Sequence, residues 1–419
     1  NYLLKAKVDL LWNGGIGTYV KSSLETHTDV GDKANDGLRV NANELGCKVV
    51  GEGGNLGMTQ LGRMEYCLGG GRANTDFIDN AGGVDCSDHE VNIKILLNAV
   101  VARGDLTQKH RDELLQAMTD SVGALVLRNN YRQVQAISLS EYQAAERSGE
   151  YRRFISNLVS DGRLDRDLEF IPTDDELADR RVHGKGLTRP ELAVLVSYSK
   201  AILKEELLDS DLGKDPHLAN AVATAFPQQL VDIYPDEVRE HRLHREIMCT
   251  QIANDIINRM GLNFIQRQRK ATGAPVADVA RAYAAVMDIF GVSEVWEQVE
   301  LLDHSVDAQV QMEMMVNLIR LVKRTTRWLL RNRRHELTPT RVIAEFSEGV
   351  GRLREALPTM LRGRSRAAQQ YKSQYQYYIE QGVDETLAAT VAATLQAYTA
   401  LGIIQAAEET HEPLLDVAQ

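Results

Sequence analysis

The chain has 419 residues, 43% of them hydrophobic, and carries 48 basic against 59 acidic side chains for a formal net charge of −11. That length exceeds what one core usually serves, so two or three domains are expected, and the ordinary apolar fraction excludes wholesale disorder. An acidic surface repels phosphate backbones, and no apolar run approaches the roughly 20 residues of a membrane-spanning helix, so neither nucleic acid nor membrane is an expected partner.

Four cysteines, Cys47, Cys67, Cys86 and Cys249, lie far apart with no CxxC pair. They suggest no zinc site or disulfide framework, and a reducing cytoplasm is the simpler setting. The opening NYLLKAKVDLLWN is no signal peptide, because lysines interrupt its apolar run. It begins without methionine and enters a strand-like segment at once, so the chain is expected to be a piece of something longer.

In chain order, Val8 to Trp12 is a short apolar run stopped by Asn13-Gly14-Gly15 and is expected as a buried strand. Lys48 to Gly51 is a second, ending in Glu52-Gly53-Gly54-Asn55. Thr75 to Ile78 is taken as a third, ending at Asp79-Asn80-Ala81-Gly82-Gly83. Helical spacing of apolar residues follows over Met58 to Leu68 and Asp88 to Val101. Strands alternating with helices predict a parallel sheet, and such sheets bind ligands at the carboxyl ends of their strands.

From about Asp105 the pattern turns helical. Helices are expected over Thr107 to Arg128, after the capping box Thr188-Arg189-Pro190-Glu191, and over Leu243 to Met260, which Gly261 ends. Further helices are expected over Val276 to Phe290, Val295 to Leu302, Val306 to Arg331, Arg341 to Leu357 (stopped by Pro358) and Leu387 to Ala407. The polar stretch 147–167 reads as a surface connection between helical subdomains. The fold class is therefore α/β plus all-α: a partial doubly wound, Rossmann-like parallel sheet in 1–104, then a large helical region in 105–419.

The block Val49 to Lys94, VVGEGGNLGMTQLGRMEYCLGGGRANTDFIDNAGGVDCSDHEVNIK, resembles the glutamate dehydrogenases among the amino-acid dehydrogenases. In that family one strand ends in Glu-Gly-x-Asn and a later one in Asn-Ala-Gly-Gly-Val. The wording of NGGIGTYVK, VGDKAND and SDHEVNIKILL is similar to the large bacterial NAD-specific class, in its C-terminal portion and over the whole chain.

The resemblance implies NAD as cofactor and L-glutamate and 2-oxoglutarate as substrate and product, in a cytoplasmic homo-oligomer. It implies that Asn55 and Asn80 bond the nicotinamide ribose and carboxamide. Asn13, Gly14, Gly15 and Gly17 lie against the cofactor, and Gly82, Gly83 and Val84 form a floor under nicotinamide and substrate. Ser87 binds the substrate's distal carboxylate. The family's acid–base lysine and aspartate belong to motifs that precede this stretch, so no catalytic residue is assigned here and the chain alone is expected to be inactive. Asparagine suits these roles physically, offering both a donor and an acceptor, and glycine lets a ligand approach backbone closely.

Competing readings stay open. Ser87-Asp88-His89-Glu90 is itself a capping box, in which Ser87 would be an N-cap. Asn55 and Asn80 could be left-handed turn residues, and Gly14-Gly15-Ile16-Gly17 a plain loop. Gly51, Gly53 and Gly54 make no G-x-G-x-x-G, since Leu56 holds the sixth position; that fingerprint is expected upstream. Gly69-Gly70-Gly71-Arg72 reads as a helix C-terminal turn. Cys67, Cys86 and His89 match no metal-ligand spacing, and His241 and His244 are taken as solvated. The arginine-rich stretch 320–334 reads as an amphipathic helix that pairs with acidic surface of the same protein or a sister subunit. Two alternatives to glutamate dehydrogenation are a non-catalytic helical module for oligomerisation or regulation, and a related dehydrogenase acting on leucine or phenylalanine.

Overall fold

The structure is a computed structural model describing residues 2–334, 337–361 and 363–418. Two compact units emerge. One comprises Asn1–Glu205 with Ala219–Asn263, the other Glu206–Leu218 with Phe264–Gln419.

The first unit opens with β1 (Leu10–Asn13), β2 (Val20–Lys21), the one-turn helix α1 (His27–Val30) and β3 (Val40–Asn41). Then come β4 (Val49–Glu52), α2 (Gln60–Leu68), β5 (Arg72–Ala73), α3 (Asp76–Asp79) and α4 (Ala81–Ala102). β1, β4 and β5 form a three-stranded parallel sheet with β4 central; β2 and β3 pair separately, also in parallel. The register sets Asn13 opposite Glu52, so both strands finish level with each other. Val50, Met58, Tyr66 and Ala73 bury against this sheet with Val20, Val40, Ala42 and Cys47. α2 starts where the Thr59 hydroxyl accepts the Gly62 amide and ends at Gly69.

Helices complete the unit: α5 (Gln108–Ala117), α6 (Thr119–Tyr142), α7 (Ser148–Ser160), α8 (Asp174–Val182), α9 (Arg189–Leu208), α10 (Gln228–Ile233), α11 (Pro235–Arg239) and α12 (His244–Met260). A second core joins Ile93, Leu96, Leu97 and Val100 of α4 to Met118, Phe226, Leu230, Val238 and Ile247. The last residues of α9 belong to the second unit.

That second unit holds α13 (Phe264–Thr272), α14 (Val276–Ile289), α15 (Val292–Glu300), α16 (Ala308–Asn332), α17 (Pro339–Met360), α18 (Arg366–Glu380), α19 (Glu385–Ala397), α20 (Ala400–Thr410) and α21 (Leu414–Val417). α16 is its central helix, packed by α13, α14, α15 and α19. Among the described residues no single helix is long and apolar enough to cross a membrane; α19 and α20 reach that test only as a pair bent by 62°.

The α/β start and the helical remainder match the expected fold class, with local differences. Thr75 to Ile78 is not a strand: Asp76–Asp79 is a turn of helix, and the third strand is Arg72–Ala73 just before it. The apolar pair Phe77 and Ile78 suggests a strand, but Thr75 accepts the amides of Ile78 and Asp79 through its carbonyl and starts a helical turn instead. Asn80-Ala81-Gly82-Gly83 is therefore a helix start rather than a strand-end turn. Residues 147–167, expected as a connection, contain α7, which buries Tyr151, Phe154, Ile155 and Leu158. Two expected single helices are broken: one at the buried Met118, the other at Tyr398 and Thr399. Pro358 lies inside the last turn of α17, which runs two residues further before it ends.

Candidate functional site

Three chain segments meet at the carboxyl edge of the sheet: the turn after β1, the turn after β4, and the junction of α3 with α4. The first two are pressed together so closely that glycine is required. A Cβ on Gly54 would stand 2.5 Å from the Gly15 carbonyl oxygen, and one on Gly57 would collide with the Asn13 amide. The Trp12 ring covers Gly51 and Gly53, where a Cβ would come within 2.6 Å of it in each case. The Gly54 amide donates to the Asn13 carbonyl at 2.9 Å, and Gly17 has a φ of 127° open chiefly to glycine. Gly14 and Gly15 meet no such crowding.

The turn after β4 is tied to α3 by buried charge. Glu52 at the end of β4, 1% exposed, takes a two-pronged bond from Arg63 of α2, 2.6 Å from Nε and 2.9 Å from Nη2. It also accepts the Met58 amide at 3.0 Å. Arg63 Nη2 lies 3.3 Å from Asp76, which accepts the Leu56 amide at 2.8 Å. Asp79 accepts the Glu52 amide at 3.0 Å and the Asn74 side-chain amide at 2.8 Å. Burial pushes the carboxyls of Glu52 and Asp79 up, against the pull of these donors. Leu56 sits in the left-handed region at φ 57°. The left-handed reading of the two asparagines is thus corrected: Leu56 takes that conformation, and Asn80 has φ −101°.

This clamp brings Asn55 and Asn80 into contact. The Asn80 side-chain Nδ2 donates to Asn55 Oδ1. Each amide keeps one polar atom outside that bond, a donor on Asn55 and an acceptor on Asn80. Asn80 precedes α4, and Gly82, Gly83 and Val84 fill its first turn. A Cβ on Gly83 would meet nothing within 4 Å, and one on Gly82 only ordinary contacts at 3.7 and 3.8 Å. Packing within the chain therefore does not explain either glycine, and each weakens a helix by about 1 kcal/mol relative to alanine.

Ser87 lies in the second turn of α4, exposed and not at its N-terminus, so the capping-box reading is corrected; the helix starts six residues earlier because Ala81 to Val84 are already helical. At 100° per residue, seven residues return to the same face, so Asn80, Val84, Ser87 and Val91 form one stripe. Val84 and Val91 are 67% and 51% exposed, while His89, Ile93 and Leu97 bury the opposite side. Asn80 and Ser87 are about 10 Å apart along the axis. Asn55 and Asn80 thus touch at this edge, and Gly83, Val84 and Ser87 are exposed along α4, whereas Gly82 faces Asn130 and Val126 of α6; Gly14 and Gly15 are exposed in the turn after β1.

Sequence reasoning missed the clamp of Glu52, Arg63, Asp76, Asp79 and Asn74. Its one signal was a charged residue, Arg63, standing among the positions of α2 that face the core. Elsewhere, Gly69 caps α2, and the place of a Cβ on Gly71 is filled by the Tyr66 ring, in keeping with a helix C-terminal turn. No group of three His, Cys, Asp or Glu among the described residues could hold a metal ion. His241 is corrected from solvated to buried: its ring packs tilted by 52° against Phe226 and its Nε2 lies 3.1 Å from the Asn92 carbonyl, with burial holding its pKa down. On α16 the apolar face is buried within its own unit. Arg333 pairs with Glu345 at 2.6 Å, Arg327 bonds Gln268, and Arg331 and Arg334 reach carbonyls of Ala271 and Gly273, so much of the expected acidic pairing is replaced by helix-end carbonyls.

Comparison with known proteins places the chain in a family. Residues 1–140 match the family model for the bacterial NAD-glutamate dehydrogenase catalytic domain, and residues 184–419 that for the glutamate dehydrogenase C-terminal region. The chain is 56% identical over 417 residues to the NAD-specific glutamate dehydrogenase of Pseudomonas aeruginosa, covering 100% of this chain and 26% of that protein. The corresponding figures are 52% over 417 residues for the Halomonas elongata protein of that name, again 100% and 26%. For the Mycobacterium tuberculosis protein of that name they are 40% over 402 residues, 96% and 24%. The chain belongs to the bacterial NAD-specific glutamate dehydrogenase family, and it spans about a quarter of the length of these relatives.

Proposed function

We propose that this chain supplies the nicotinamide end of the NAD site and the distal-carboxylate contact of an enzyme that oxidises L-glutamate with NAD and water to 2-oxoglutarate, ammonia and NADH. In this reading residues 1–104 are the C-terminal part of the NAD-binding domain and 105–419 its helical C-terminal region, in a cytoplasmic homo-oligomer. NAD, when bound, accepts the hydride from the glutamate Cα. The chain's own part is to hold and orient. The free donor of Asn55 and the free acceptor of Asn80 match a carboxamide or ribose hydroxyl. Asn13, Gly14 and Gly15, in the turn after β1, lie against the bound cofactor, and Val84 shields the reacting carbon from water. Ser87, an exposed hydroxyl two turns down α4, donates to the far carboxylate. No lysine or aspartate of this chain is assigned the acid–base role.

The observation that carries the reading is Gly83. It weakens the helix start, no neighbour requires it and the space beyond it is open, so what it admits is a ligand lying on the first turn of α4. The test is NAD affinity in a dehydrogenase of the relatives' full length that carries this chain, with Asn55→Ala and Asn80→Ala. Each should raise the NAD Kd about tenfold, the worth of one lost hydrogen bond to a ligand. Unchanged affinity in both would sink the assignment. The 419-residue chain alone is expected to show no turnover with glutamate and NAD; clear activity would contradict the division of labour proposed here. Ser87→Ala separates glutamate from a leucine or phenylalanine substrate, since only glutamate has a distal carboxylate to lose.

A further inference from the structure

Among the contacts between the helical region and the segment that carries Asn80, one side chain leads into the carboxylate clamp. Arg189, at the start of α9 and 9% exposed, donates from Nε to Asn74 Oδ1 at 3.0 Å. Asn74 passes the bond on, its Nδ2 donating to Asp79 Oδ1 at 2.8 Å. The other oxygen of Asp79 accepts the Glu52 amide at 3.0 Å. Asp79 directly precedes Asn80, and Glu52 opens the turn that carries Asn55. The opposite edge of the guanidinium is anchored on α6, where Nη1 lies 3.0 Å from the Ser138 hydroxyl and 2.9 Å from Glu141. Neighbouring contacts hold the same segment in place: Lys185 Nζ bonds the Leu68 carbonyl at 2.8 Å, and Glu191, fully buried, takes both prongs of Arg180 Nη1 at 2.8 and 2.9 Å.

We propose that Arg189 is a positioning residue through which the helical region sets the Asn55–Asn80 pair, and with it the fit of the nicotinamide end of NAD. The inference rests on the cofactor reading above. A guanidinium suits the task because its planar fork can hold α6 and Asn74 at once in fixed directions, which an ammonium cannot. Asp79 is the weak point of the relay: it is a half-buried carboxylate, its burial favours the protonated form, and Asn74 and Arg189 are among the groups that oppose this. Loss of Arg189 leaves Asn74 free to turn away from Asp79, which then holds the Glu52 amide with nothing fixing its own orientation.

The experiment uses a dehydrogenase of the relatives' full length carrying this chain, with steady-state kinetics and melting temperature for Arg189→Met, Asn74→Ala, the double variant, Glu141→Gln and Asn80→Ala. Arg189→Met and Asn74→Ala should each raise the NAD KM about tenfold, the size of one charge-assisted bond. The glutamate KM should stay within twofold, and the double variant should be no worse than either single one, because both break the same relay. Glu141→Gln loosens the α6 end of the same relay while Ser138 and Asn74 still hold the guanidinium, and should raise the NAD KM by a smaller factor than Arg189→Met. Asn74→Ala also stands in should Arg189→Met fail to fold, since it keeps the anchor on α6. The idea is overturned if Asn74→Ala lowers the melting temperature but not the NAD affinity, or if the two effects simply add. Asn80→Ala separates the failures. If it leaves the NAD KM unchanged, the cofactor reading has failed and takes the relay with it; if it raises the KM while Asn74→Ala does not, only the relay is wrong.

Discussion

Replacing Arg63 with methionine tests the clamp beneath the Asn55–Asn80 pair most directly. The side chains of Glu52 and Arg63 are 1% and 5% exposed, so the substitution leaves a buried carboxylate without its cation. Removing one partner of a buried pair costs about 3–5 kcal/mol. At about 2–4 °C per kcal/mol for a unit of this size, the transition of the first unit should fall by roughly 6–20 °C. The pH dependence gives the sharper sign. Burial already raises the Glu52 carboxyl, and Arg63 is the first-ranked group opposing that rise. Without it the folded state binds the Glu52 proton still more tightly than the unfolded chain does. A raised carboxyl leaves the full penalty above its folded pKa and none below the unfolded value near ~4.3. The deficit of Arg63→Met should therefore be largest at pH 8 and shrink steadily toward pH 5. Glu52→Gln in the same background should recover most of the loss by removing the stranded charge. Scanning calorimetry at pH 8, 6.5 and 5 reads all three. A variant that melts within a degree of the parent, or a deficit that grows on acidification, would refute the reasoning.

Four further outcomes follow. Gly83→Ala should raise stability by about 0.5–1 kcal/mol, because the new methyl enters open space in a helix, yet lower activity in the full-length enzyme by crowding the bound ligand; melting and rate measured together check it, and a gain in both would remove the argument from Gly83. Gly54→Ala should separate the two turns and abolish NAD binding, while Gly15→Ala, which meets nothing within 4 Å, should be near neutral for folding; circular dichroism and a binding titration compare them. Ser87→Ala should raise the glutamate KM several-fold with no change in melting, since the hydroxyl is exposed and bonds nothing among the described residues. Lys200 has its pKa pulled down to about 8 by burial, with Asp85 opposing. The folded state therefore disfavours its proton, a penalty that is full below that value and fades as pH rises toward 10.5, so Lys200→Met should stabilise at pH 7 and progressively less up to pH 10.

The sequence by itself determined the alternation of the first hundred residues and the helical remainder, because periodicity and glycine punctuation are local properties written into each segment. It also marked Asn55, Asn80 and Ser87, since two asparagine-bearing motifs in fixed order are visible without coordinates. Its error over Thr75 to Ile78 has a physical cause: four residues cannot distinguish a strand from a helical turn, and the bonds that Asp76 and Asp79 make to the turn after β4 are not local. Only the tertiary structure could reveal that Glu52, Arg63, Asp76, Asp79, Asn74 and Arg189 act together, because their contacts span from 5 to 115 positions in the chain and no periodicity records them. The same holds for the turns after β1 and β4. Each reads as an ordinary glycine-rich loop alone, and it is their approach to within van der Waals contact that makes Gly54 and Gly57 obligatory.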